Sequence, residues 1–387
     1  MAGGPVPRTS GWVSSGRGRS RRRGAVVYSA VLVLGGAAGA FYWAVIQLAV
    51  GMVTAWVQSQ GNLSVSSTPA VVGGTVYVGG DRHRVSALDA MTGAVRWSYT
   101  TGDQVESSPA VADGTVYVGS SDHKVYALNA GTGSVRWTFT TGGQVESSPA
   151  VAGGIVYVGS DDGRLYALNA ADGTVRWRRE TGAEVQSSPT VVARTVYVGN
   201  VDGRVYALAT DTGAVRWSRN IATDTPFSPE VAGGLVLVAA MEFEENRVIA
   251  LDATTGNVRW SRHLTAKYGL AATGGSVYAG APAPDKPDLT SEVRALDALT
   301  GATRWKHRLD DALSGPPAVV GGTVYVGGEG KVHALNGATG RLLWTTHIGK
   351  TVRSAPVVAG RLVYVADREG RVVALNRATG VRVFTSG

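Results

Sequence analysis

Residues 100–120 read TTGDQVESSPAVADGTVYVGS, and residues 140–160 read TTGGQVESSPAVAGGIVYVGS. A catalytic motif has no use for a near-duplicate forty residues away. A structural unit that cannot bury its own apolar face does, because stacked copies cover one another. Working outward, aromatic residues mark the period. Trp97, Trp137, Trp177 and Trp217 lie 40 residues apart, Trp260, Trp305 and Trp344 follow at 43, 45 and 39, and Phe384 stands 40 further on. In the third copy SSPAVAGG, IVYVGS, GRLYALNA and TVRWRRE alternate apolar and polar residues, separated by Gly-Gly, Asp-Asp-Gly and Asn-Ala-Ala-Asp-Gly turns. Tight turns join strands antiparallel, and four strands per unit of about 40 residues is the pattern of a propeller blade. The first copy starts near Ser66 and the last ends at Gly387, which predicts an all-β, eight-bladed propeller over residues 66–387.

The turn before each tryptophan is the most specific element. ALDAMTGAVRW (87–97), ALDATTGNVRW (250–260) and ALDALTGATRW (295–305) share A-x-D-x-x-T-G-x-x-x-W. The Asp can accept backbone amides across the turn, and the Gly supplies a positive φ. Each tryptophan is expected to face the next blade, where its burial contributes about 4–6 kcal/mol before entropy costs.

In this motif the chain resembles the pyrroloquinoline-quinone-type β-propellers, which include quinoprotein dehydrogenases and BamB-like assembly scaffolds. The resemblance spans about residues 62–387. Departures are Asn129, Asn169, Asn336 and Asn376 for the Asp, Ala209 in the fourth copy, Asp172 for the Thr, and Phe384 for the last Trp.

The protein has no cysteine, which excludes disulfides, thiolate metal sites and a lipidated-cysteine anchor. Its net charge of +8 is concentrated at one end. Residues 1–24 hold six arginines (Arg8, Arg17, Arg19, Arg21, Arg22 and Arg23) and no acid, leaving 31 basic against 29 acidic residues beyond them. A nearly neutral repeat region argues against a nucleic-acid partner.

From Ala25 to Val57 no residue is charged. About 20 apolar residues cross a bilayer, and Tyr28 and Trp56 stand 28 positions apart, roughly 42 Å along a helix. That matches the roughly 40–45 Å between headgroup regions where such rings settle. The expected organisation is a basic cytoplasmic tail (1–24), a transmembrane signal-anchor (25–57), a short linker (58–65) and an extracytoplasmic propeller, oriented by the positive-inside rule. The competing reading is a cleaved signal peptide with Ala25–Leu34 as its core and Ala38-Gly-Ala40 as the cleavage site. It would leave FYWAVIQLAVGMVTAW exposed at the new N-terminus.

In a four-stranded meander, the inter-blade crossings share one face of the disc with the turns between second and third strands. Blade five lengthens that turn to AAMEFEENR (239–247) and blade six to APAPDKPDLTSE (281–292). Variation confined to one face of a repeat protein marks a binding surface. The crossings carry a charge gradient. Gln104/Glu106, Gln144/Glu146 and Glu184/Gln186 open blades two to four and Asp224 precedes blade five, whereas Lys267 and Arg353 serve blades six and eight. An acidic arc (Glu106, Glu146, Glu184 and Asp224) facing a basic side suits a protein, peptide or zwitterionic envelope component.

His83 and His123 occupy a turn position where blade three has Gly163, a place that wants positive φ. No G-x-S-x-G, H-E-x-x-H or phosphate-binding loop occurs. The expectation is therefore a non-enzymatic, membrane-anchored scaffold without cofactor. The alternative is a quinoprotein dehydrogenase binding the quinone with calcium. The resemblance implies that those enzymes are longer, with a vicinal cysteine pair, calcium ligands and a catalytic carboxylate. A sensory ectodomain is disfavoured because only about 25 residues precede the span, too few for a signalling domain.

Overall fold

β-Branched and aromatic segments punctuated by glycine turns fold into four short strands per repeat. In blade one these are β1 (Ala70–Val72), β2 (Thr75–Gly80), β3 (Arg84–Asp89) and β4 (Val95–Thr100), hydrogen-bonded in that order and antiparallel throughout. Seven further sheets repeat the order, ending with the strand Arg382–Thr385. The first strands neighbour one another around the axis, and that of blade eight returns to β1. Each blade is one contiguous stretch of chain. A computed structural model describes residues 67–80, 82–221, 228–240, 246–264, 266, 269–283, 290–352, 354–367 and 371–386. The expected tail, span and linker lie outside those residues. Among the described residues no helix is long and apolar enough to cross a membrane.

The core is eight clusters, one per junction, rather than a single centre. Tyr77, Val85, Ala87 and Trp97 of blade one pack on Val116, Val118, Tyr126 and Leu128 of blade two. Val76, Val78 and Leu88 pack on Tyr364, Ala374 and Phe384 of blade eight, closing the ring. This corrects the expected alternation in the second strands. All six residues of Ile155–Ser160 are buried, because a neighbouring blade covers each face of the sheet. The fourth strands do alternate, since their edges meet solvent.

The tryptophan motif resolves into a specific joint. Trp97 stands opposite Ala87, with a register shift at Ala87/Leu88, so a small residue makes room for the indole. Its Nε1 donates to Ala130 O at 2.9 Å, and Tyr77 Oη donates to the same carbonyl at 3.2 Å. Gly133, at φ 74°, lies flat beneath the ring, and a Cβ there would come within 2.6 Å of it. Equivalent indole bonds of 2.8–3.1 Å run from Trp137, Trp177, Trp217, Trp260, Trp305 and Trp344 into the following blade. Phe384 is buried in the eighth position without a donor, so Ala90 O there receives only Tyr364 Oη, at 3.0 Å. The turn acid also acts locally. Asp89 Oδ1 accepts the amides of Met91 and Thr92, and its Oδ2 pairs with Arg96 at 2.6 Å. That guanidinium holds the Asp89 carboxyl well below the usual range, at about 2. Three of the four asparagines at this position, Asn129, Asn336 and Asn376, keep the amide bonds through Oδ1, whereas Asn169 Nδ2 donates to Thr174 Oγ1 at 2.6 Å.

Candidate interaction face

The crossings do share a face with the second-to-third turns. Thr101 N donates to His83 O at 2.8 Å, and Ser121 N donates to Gln104 O at 2.9 Å. On the opposite face Ala90 N bonds Gly74 O at 3.0 Å, joining the two remaining turn sets. His83 and His123 have φ of 57° and 67°, against 77° for Gly163, and so accept the same backbone shape.

Each crossing is locked by its own sequence. Val145 is fully buried and passes so close over Gly119 that a Cβ on that glycine would overlap it. The Ser-Ser-Pro that follows has two separate tasks. Ser107 Oγ bridges its own blade, donating to Gly119 O at 2.9 Å and accepting Gly119 N at 2.7 Å. The second serine links blades: Thr68 N bonds Ser108 Oγ, Ser108 N bonds Ser148 Oγ, Ser148 N bonds Ser188 Oγ and Ser188 N bonds Ser228 Oγ, at 2.8–3.0 Å. Ala355 N returns to Thr68 Oγ1 at 3.3 Å. These bonds form a belt of serines through the first five blades.

The acidic residues of blades two to four stand on this frame. Glu106 and Glu146 follow the buried valines, whereas Glu184 occupies the place of Gln104 and Gln144, two residues earlier. The arc is therefore staggered rather than level. Burial pushes the Glu146 carboxyl up, and Asp161, Glu106 and Glu184 add to the shift. Asp161 is pushed up by burial and by Glu184, which its contacts with Gln186 and His123 offset only in part. Its Oδ1 is buried with no hydrogen-bond partner. Sequence reasoning left Asp161 out of the arc. The signal was present, because residues following the second strand bond the crossing: Asp161 N reaches Gln144 O at 2.9 Å, as Ser121 N reaches Gln104 O. Beside it a notch of about 330 Å³ is lined by Asp161, Asp162 and Glu180. Asp224, Lys267 and Arg353 lie outside the described residues.

The lengthened turns are partly ladder. In blade six the second and third strands extend to Ser276–Pro282 and Ser291–Asp297, pairing Ala281 with Glu292 and Pro282 with Ser291. The tips, 241–245 and 284–289, lie outside the described residues.

Two further departures escaped the sequence reading. Glu230 stands on the first strand of blade five where blades two and three have Ala110 and Ala150, and burial pushes its carboxyl up to about 7. Its cross-strand neighbour is Leu237 in place of a tyrosine. In blade seven the buried His333 bonds Asp311 Oδ1 through Nε2 at 2.8 Å and Thr345 Oγ1 through Nδ1 at 2.9 Å. Among the described residues no three His, Cys, Asp or Glu side chains gather closely enough to hold a metal ion.

Eight contiguous four-stranded blades, with a turn glycine beneath a tryptophan ring at seven of their junctions, define a propeller of the quinone-type repeat class. The family profile described as outer membrane protein assembly factor BamB matches residues 29–144, 105–285 and 289–386, and the chain belongs to that family. A comparison with curated proteins finds no match. Among solved structures, BamB from Moraxella catarrhalis is similar with a TM-score of 0.68 and 24% identity, over 81% of this chain and 97% of that one. The computationally designed Ika8 protein gives 0.70 and 19%, over 82% and 98%. Quinohemoprotein alcohol dehydrogenase from Comamonas testosteroni gives 0.64 and 18%, over 83% and 73%. BamB, a designed protein and an alcohol dehydrogenase share this fold, so likeness at this level speaks for fold alone.

Proposed function

We propose that the protein is a membrane-anchored, extracytoplasmic propeller that binds a protein, peptide or envelope component on its crossing face without chemical turnover. One observation carries the reading. Glu146 is partly withdrawn from water within reach of the Asp161, Glu106 and Glu184 charges, and Asp161 is partly withdrawn beside Glu184. Uncompensated like charge lowers stability, and such an arrangement persists where binding uses it. Its complement is a basic or zwitterionic segment, and Lys267 and Arg353 elsewhere on the crossings would receive the opposite charge. Family membership supports a scaffold, and the uncharged stretch 25–57 supports the anchor.

Photocrosslinking from position 144 in intact cells should capture one partner, and Glu106→Lys with Glu146→Lys should abolish that capture while leaving the thermal melt intact. Unchanged capture by the double variant removes the acidic arc from the function. Titration with pyrroloquinoline quinone and calcium, followed by dye-linked oxidation of alcohols and sugars, addresses the dehydrogenase alternative. Turnover there replaces the scaffold reading. Protease added to spheroplasts should digest the propeller and leave an anchored fragment. A protected propeller, or a mature N-terminus at Phe41, overturns the proposed topology.

A further inference from the structure

On the face opposite the crossings, a cleft of about 600 Å³ opens between blades seven and eight. Arginine replaces the usual residue of the repeat at two points on its wall. Arg361 stands in the hairpin turn where blades one, three and five carry Gly74, Gly154 and Gly234. Arg377 stands where blades one to three carry Ala90, Ala130 and Ala170. The Arg377 side chain is fixed before any ligand arrives. Its Nε donates to Tyr325 Oη at 3.2 Å and its Nη2 to Val320 O at 2.9 Å.

In blades one, five and six this face neutralises its own cations. Asp89 pairs with Arg96, Asp252 with Arg259 and Asp297 with Arg304, at 2.6–2.7 Å. At the cleft both halves of that pair are gone. Asn336 and Asn376 hold the turn amides without charge, and Leu343 and Val383 occupy the arginine positions. The lining therefore holds two guanidinium groups and no acid, with Leu343 and the Tyr325 ring as apolar wall.

We propose that this cleft binds a small organic oxyanion, a carboxylate or phosphate ester carried on a flat apolar body. Guanidinium forks match the geometry of both oxyanions, and clefts of roughly 300–1,000 Å³ enclose such molecules. The site is independent of the crossing face and stands or falls apart from it.

The test is calorimetric titration of the purified full-length chain with phenyl phosphate, benzoate and inorganic phosphate. Arg361→Gly and Arg377→Ala install residues that other blades use at those positions, so the ring is retained, and melts of both variants check it. Arg194→Gly changes the same turn position in blade four, away from the cleft, and serves as the charge control. The expected result is that one aromatic probe binds more tightly than inorganic phosphate. Each cleft variant should then weaken it about tenfold or more, and Arg194→Gly should leave it unchanged. Preference for benzoate assigns the site to carboxylates, and preference for phenyl phosphate to phosphate esters. No binding of either aromatic probe, equal binding of inorganic phosphate, or equal loss from Arg194→Gly overturns the proposal.

Discussion

Blades two to four and blades five to eight are built on one backbone plan, yet they use it differently. In the early blades the joint repeats contact for contact: Ser108 bonds Ser148 forty positions on, Trp137 bonds the turn carbonyl of Ala170, and Tyr117 bonds the same carbonyl. In the later blades the plan is kept only where the joint demands it. Trp260, Trp305 and Trp344 still donate into the next blade, but the serine belt lapses after Ser228 and resumes only at Ala355. Blade five replaces a tyrosine by Leu237 and an alanine by Glu230, and blade seven buries a His–Asp pair where Tyr126 meets Asp122 in blade two. Docking is thus the constraint a blade cannot escape. The inner belt and third-strand contacts are free to vary once enough neighbours hold the ring.

That contrast can be broken by substitution. The largest effect is expected at Trp177, where Trp177→Ala opens a cavity between blades three and four and should cost about 3–5 kcal/mol in chemical denaturation. Trp344→Ala, starting from a less buried ring, should cost less. If the two are equal, docking does not depend on burial.

Next comes the charge in blade five. The unfolded chain releases the Glu230 proton near 4.5, whereas the folded protein holds it until about 7. Stability should therefore fall as pH rises through that window, by about 2–3 kcal/mol in total. Glu230→Ala should flatten the profile and be the more stable protein at pH 8, and a profile identical to that of the parent would show that the carboxyl is not withdrawn from water.

Smaller still, Ser148→Ala removes one link of the belt and should cost about 1 kcal/mol. Ser354, which accepts Ala366 N at 2.9 Å, belongs to the other class of serine, so its removal should affect blade eight alone, readable by amide exchange. His123→Gly, in a turn that already tolerates positive φ, should stay within about 0.5 kcal/mol.

The sequence made the ring legible because docking has a fixed address: Trp137 and Gly173 recur at a spacing that only stacking explains. It displayed Glu106, Glu146 and Glu184 on successive crossings, but not their surroundings. Glu106 and Glu146 stand out by repetition, but the stagger of Glu184 and the approach of Asp161 follow from a crossing that lies against a turn, a relation between distant positions that no local pattern displays. The belt was hidden for the same reason. Ser-Ser-Pro reads as a strand opening, and only the curvature of the ring brings Ser148 Oγ under Ser108 N. The second strands were misread as half-buried because alternation is a rule for sheets with one wet face, and these have none.

The eighth junction gives the ring a preferred place to part. No strand is exchanged there, and Phe384 offers no proton to Ala90 O, so among the described residues closure rests on packing, one phenol and the long bond from Ala355. Under tension or heat the disc should behave as a split washer, with blades one and eight separating while the remaining seven joints hold. Solvent would then reach Val76 and Ala374, buried at that junction, before the core residues of the other seven. A disulfide engineered across that seam would turn an openable ring into a permanent one.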